Sequence, residues 1–165
     1  MRIITITLKR EEIMGDVVNA AHITGRRLNV PGSEEKASDI QTPEEGADKY
    51  IVARAMQEGL SALRKECGRY LNMGRLTDDN CLEDVTGDFV LSLSMPDRWN
   101  FGATSRLTSL ANGYVRDWCI YSIFEKTNPD EAANYLTKAN LHLSEIKPVL
   151  EMRTGPVRRN ATKLY

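Results

Sequence analysis

The chain is poor in the residues from which most catalytic and metal centres are built. Its 165 residues include two histidines, His22 and His142, and three cysteines, Cys67, Cys81 and Cys119. An odd cysteine count without a CxxC spacing argues against a zinc site and against a disulfide framework. It reads instead as buried free thiols in a reducing compartment. Long apolar runs are lacking too. IITITL near the start is too short for the core of a signal peptide and alternates like a strand, and nothing approaches the length of a membrane-spanning helix. There is no GxSxG elbow, HExxH, phosphate-binding loop or GxGxxG turn. Neither sign of charge dominates: 22 basic and 23 acidic residues leave a net charge of −1.

What is present is an ordinary globular composition, 41% hydrophobic and 27% charged, in a chain long enough to bury a core of its own. Ile4-Thr5-Ile6-Thr7-Leu8 alternates as a strand does. Ile13, Val17, Ala20, Ala21, Thr24 and Leu28 then recur at helical spacing, with Glu11 and Glu12 placed to favour the positive end of the helix dipole. Residues 29–47 form a loop rich in Pro, Gly and charge, part of it expected to be mobile. A long helix from Asp48 to about Leu71 gathers Val52, Met56, Leu60, Leu63, Cys67 and Tyr70 on one face. Phe89–Met95 alternates again, with Phe89, Leu91, Leu93 and Met95 on one side, and Pro96 ends it. The two alternating runs are natural partners in an antiparallel ribbon that must pack on the helices.

Thr104 to Phe124 is apolar on two faces, which places it at the centre of the fold or at an oligomer interface. Asn128-Pro129-Asp130-Glu131 signals a helix start, with Asn128 as cap, Pro129 at the first position and Glu131 able to complete a capping box. The following helix carries a narrow seam, Ala132, Leu136, Ala139, Leu143, Ile146 and Leu150. After a three-residue link it should form an antiparallel hairpin with the preceding helix. Pro148 should kink or end it. The fold expected is mostly helical, α+β in class. It has four main helices, a helical hairpin at the C-terminus and a small two-stranded antiparallel ribbon. Residues 1–152 form a single domain and residues 153–165 a basic C-terminal arm.

Candidates for chemistry are few. Cys119 and His142 could meet across the last hairpin, but a thiol and an imidazole without a third, orienting group make a poor nucleophile signature. A buried thiol beside a half-exposed ring is the better reading. Asp78, Asp79, Asn80, Glu83 and Asp84 cluster on a polar, turn-rich stretch, without the ligand order or central glycine of a calcium loop. No cofactor or metal is therefore expected. Trp99 either anchors an interface or covers the end of the core. The tail MRTGPVRRNATKLY carries Arg153, Arg158, Arg159 and Lys163, so the other 151 residues hold −5. Such a tail could contact nucleic acid, serve no role, or dock on a neighbouring subunit. The Gly155-Pro156 exit, the apolar Val157, Leu164 and Tyr165, and the acidic body favour the last. A body without a basic face weakens the first.

Several stretches together are similar to something known. A TxTL strand runs into a helix ending TGRRL. After a long helix and a second strand comes MPxRW, then DWCIYSIFEKTNPDEAANYLTKANLHLSEIKPVL and a terminal TGPVRR. This order resembles a family of small proteins encoded in phages and prophages of Bacteroides-type bacteria. More loosely, the last helical pair resembles the head–tail connector, neck or adaptor proteins of tailed phages. The resemblance covers just under half of the chain, in motifs that are structural. It implies a non-enzymatic assembly protein that packs as a homo-oligomer or against portal or tail proteins, in the bacterial cytoplasm during assembly and in the virion of a functional phage. Trp99, Arg153, Arg158, Arg159 and Tyr165 are the expected interface residues, chosen as aromatic and arginine side chains. A small nucleic-acid-binding or regulatory module, with DNA contacted through the arm, is the competing expectation.

Overall fold

A computed structural model describes residues 1–28, 47–72 and 87–155. Strands β1 (Arg2–Leu8) and β2 (Phe89–Met95) pair antiparallel, from Arg2 opposite Met95 to Leu8 opposite Phe89. Their alternation is the alternation of burial. Ile4, Ile6, Leu8, Leu91, Leu93 and Met95 face the core, while Ile3, Thr5, Thr7 and Val90 face outward. Among the described residues, four α-helices supply the surface that this marginal ribbon needs. They are α1 (Arg10–Leu28), α2 (Ala47–Cys67), α3 (Thr104–Thr127) and α4 (Pro129–Leu150). Short 3₁₀ turns follow α2 at Gly68–Tyr70 and precede α3 at Phe101–Ala103.

The two-faced apolar pattern of α3 has its explanation inside the chain. It is the central helix, packed against α1, α2, α4 and β1. Leu107, Leu110, Ala111 and Tyr114 are buried on one side, and Val115, Cys119 and Ile123 on the other. Gly59 of α2 lies against α3, where a Cβ would meet the Trp118 ring at 3.4 Å in ordinary van der Waals contact. The expected face of α2 is buried from Val52 through Tyr70.

Helices α3 and α4 form the expected hairpin. It is antiparallel: Arg106 near the start of α3 meets Glu145 late in α4 at 3.2 Å, and Phe124 near the end of α3 stacks edge-on to Tyr135 early in α4. Its link is tighter than the sequence suggests, because Asn128 alone separates the helices. The start of α4 corrects the capping expectation. Pro129 takes the first position, but the Asn128 side chain makes no cap hydrogen bond and no capping box forms. Glu131 turns to α1 instead. Its Oε2 accepts from the Thr24 hydroxyl at 3.1 Å, and its Oε1 lies 3.9 Å from the Arg27 guanidinium. Thr24 is 3% exposed, and a carboxylate that satisfies a buried hydroxyl is worth more here than one at a solvated helix end. Pro148 does not stop α4 at once. The helix runs to Leu150, and the Glu151 amide still donates to the Lys147 carbonyl at 3.1 Å.

Candidate functional site

A polar junction lies where α1, α3 and α4 meet, and α3 supplies its centre. Asp117 is a carboxylate in mid-helix, only 1% exposed. Its Oδ1 accepts from Arg116 Nε at 2.9 Å. Its Oδ2 accepts no hydrogen bond among the described residues, and His142 Nε2 of α4 stands 3.4 Å away, long for a hydrogen bond but close for a charge pair. Arg116 also reaches Asp16 of α1, at 4.0 Å. Burial works against the guanidinium charge, yet the hydrogen bond and charge of Asp117, with Asp16 behind them, hold its pKa above the ordinary arginine value. The imidazole has its place because residue 113 is glycine. A Cβ on Gly113 would sit 3.0 Å from His142 Nε2 and 3.1 Å from Cδ2, so the ring would have to shift by a few tenths of an ångström to keep its place against α3.

Two open grooves flank this cluster and share Arg116 and Asp16. One, of about 550 Å³, is walled by Glu12, Ser105, Thr108, Ser109, Asn112 and His142, among others. The other, of about 460 Å³, runs past Asn19, Thr24, Arg27, Glu131, Tyr135 and Lys138. Both carry cations and carboxylates side by side, so neither presents a field of one sign. Asp117 can fix the orientation of the imidazole that faces it. Among the described residues no hydroxyl or thiol is hydrogen-bonded to the ring, so a nucleophile–base contact is not formed. Thr108 is engaged elsewhere, donating to the Thr104 carbonyl at 3.0 Å.

Cys119 and His142 do not form a pair: as expected, the thiol is buried and the imidazole half-exposed. Residues two apart on a helix point away from each other, so the helix that presents Asp117 to the imidazole turns Cys119 into the core. Cys119 is fully buried and Cys67 nearly so, and burial pushes both thiols up to about 12. They are therefore inert at neutral pH. His22 is exposed on α1. Cys81 and the acidic stretch 78–84 lie outside the described residues. Among those described, no group of three histidine, cysteine or carboxylate side chains is placed to hold a metal ion.

Trp99 is corrected as an interface residue. It is fully buried, its Nε1 donates to the Val149 carbonyl at 3.0 Å, and its ring meets Phe101 edge-on with centroids 5.3 Å apart. It closes the end of the core. Arg153, by contrast, is exposed. The chain around it is fixed: Asn100 donates to the Met152 carbonyl at 3.1 Å, Thr154 donates to the Arg98 carbonyl at 2.8 Å, and Arg153 bridges antiparallel to Trp99. The Thr154 hydroxyl adds a second bond to the Arg98 carbonyl. The tail therefore has a root that ends at Gly155, whose φ of +88° suits glycine. Arg158, Arg159 and Tyr165 lie outside the described residues.

The chain matches no family model, no curated protein and no solved structure. Among the described residues no helix is long and apolar enough to cross a membrane.

Proposed function

We propose that this chain is a non-enzymatic structural protein of a phage or prophage, of the head–tail connector or adaptor kind, which packs against copies of itself or against a portal or tail protein. The resemblance of its strand, hairpin and tail motifs to such proteins supplies the class. The observation that carries the reading is the rooted tail. Residues 152–154 are held in the body by backbone hydrogen bonds, and the chain leaves at a left-handed glycine. Beyond that root come Arg158, Arg159 and Lys163 with no acidic residue, and without them the remaining 155 residues carry −4. A basic segment held at a fixed point on an acidic body fits an arm that reaches an acidic neighbour.

The test is co-purification of the full chain with the portal and tail proteins encoded beside it, compared with a chain ending at Gly155. A complex that the truncation weakens supports the reading. Binding to duplex DNA, with an affinity that falls steeply with salt and vanishes in the truncated chain, would move the arm to the nucleic-acid reading. Genomic neighbours belonging to a metabolic operon would sink the connector assignment outright.

A further inference from the structure

The ribbon has two edges, and they are treated differently. The outer side of β2 is paired at its middle: Leu71 bridges to Leu93, and the Asn72 amide donates to the Ser92 carbonyl at 3.0 Å. That last bond also fixes the sense of the whole ladder. The N–H and C=O of one strand residue point the same way, so Ser92 turns its backbone away from β1. Thr5, directly opposite, must then turn its own backbone away from β2. With a period of two, Ile3, Thr5 and Thr7 all aim their N–H and C=O groups outward, six groups with no backbone partner among the described residues. Among the described residues nothing blunts this edge. Residues 2–8 read RIITITL, with no proline, bulge or inward-facing charge, and Ile3 is 58% exposed. Arg2, the one charge on the strand, is drawn aside over the Phe101 ring at 5.1 Å.

We propose that this edge pairs with β1 of a second copy of the chain, antiparallel about a twofold axis through Thr5, giving a four-stranded sheet of order β2–β1–β1–β2. The inference deepens the assembly reading above and rests on it for the choice of a second copy as partner. The register follows from the ladder. Only outward-facing residues can exchange hydrogen bonds, and centring on Thr5 sets Thr5 against Thr5 and Ile3 against Thr7 of the second copy. Every outward group of both strands is then satisfied. The pleat stays in phase, so Ile4 falls beside Ile6 of the second copy on the buried face, while the threonines share the exposed one. Charges complement at both ends. Position 1 comes opposite position 9 of the second copy. This brings Asp97, 3.0 Å from the Met1 ammonium, to Lys9 of the second copy, and brings that ammonium to the second copy's Glu12, the carboxylate that pairs with Lys9. A twofold contact closes on itself, so it yields a dimer and leaves the C-terminal arm for other partners.

The test uses sedimentation equilibrium of the full chain up to millimolar concentration, beside Thr5→Pro. The Thr5 amide points away from β2, so proline there removes an outward donor without touching the β1–β2 ladder. The full chain should dimerise, and Thr5→Pro should weaken the dimer by about tenfold or more while keeping the native circular dichroism. Thr5→Cys guards against a proline variant that fails to fold. Paired Cα atoms at about 5.5 Å allow a disulfide, so oxidation should trap a covalent dimer much faster than for the exposed control Thr137→Cys. A full chain that stays monomeric, a dimer untouched by Thr5→Pro, or cross-linking no faster than the control would overturn the pairing. A dimer indifferent to Thr5→Pro would leave the connector reading standing, whereas failure to bind portal or tail proteins would leave the strand-edge comparison intact.

Discussion

At the scale of single residues, the most consequential choice is Gly113. Glycine in mid-helix costs up to about 1 kcal/mol relative to alanine, so its place in α3 calls for a reason, and the reason is His142 lying on it. The two effects can be separated. With His142 present, Gly113→Ala should gain helix propensity and lose it again to the displaced ring, for a net change near zero or slightly destabilising. In a His142→Ala background the same substitution should stabilise by about 0.5–1 kcal/mol. The measurement is a double-mutant cycle by urea unfolding, and a coupling below about 0.3 kcal/mol would show that the ring does not depend on the glycine. Little of this junction was legible in the sequence. A glycine, an aspartate and a histidine at positions 113, 117 and 142 stand out only once α3 and α4 are laid side by side. Helical spacing relates 113 to 117, one turn apart, but nothing in the spacing says which α4 residue faces them.

At the scale of elements, legibility tracks how far local pattern and burial coincide. Both strands, the faces of α1 and α2 and the hairpin could be read because each buried side follows directly from period two or 3.6. The start of α4 could not be read to the same depth. Its position followed from Asn128-Pro129, but the roles of the side chains depended on α1, more than a hundred residues earlier. The structure makes Glu131 a tie between helices and leaves Asn128 without a capping bond. Asn128→Ala should therefore cost well under the ~1 kcal/mol typical of a lost cap. Glu131→Ala and Thr24→Val should each destabilise, and together by less than their sum, with a coupling of about 0.5–1.5 kcal/mol. An Asn128→Ala cost of a full cap, with no coupling between residues 24 and 131, would restore the capping box.

At the scale of the whole molecule, the question is where the body stops and the arm begins. Composition sets the boundary after Met152, since basic residues without acidic ones start at Arg153. The hydrogen bonds set it three residues later. Met152 and Thr154 close a short antiparallel contact over residues 98–100, and that contact lies across Trp99, the largest fully buried side chain in the protein. The last turn of α4 takes part as well, because the Trp99 indole donates to Val149. A chain ending at Gly155 keeps every one of these bonds and should unfold at the same urea concentration as the full protein. A chain ending at Glu151 loses the Asn100–Met152 bond, the Met152–Val149 bond and both Thr154 bonds to Arg98. Four hydrogen bonds at roughly 0.5–1.5 kcal/mol each set the expected loss at about 2–6 kcal/mol, read as a lower urea midpoint. Equal stability of the two truncated chains would mean that residues 152–154 belong to the arm after all, and the fixed root that orients it would have to be sought elsewhere.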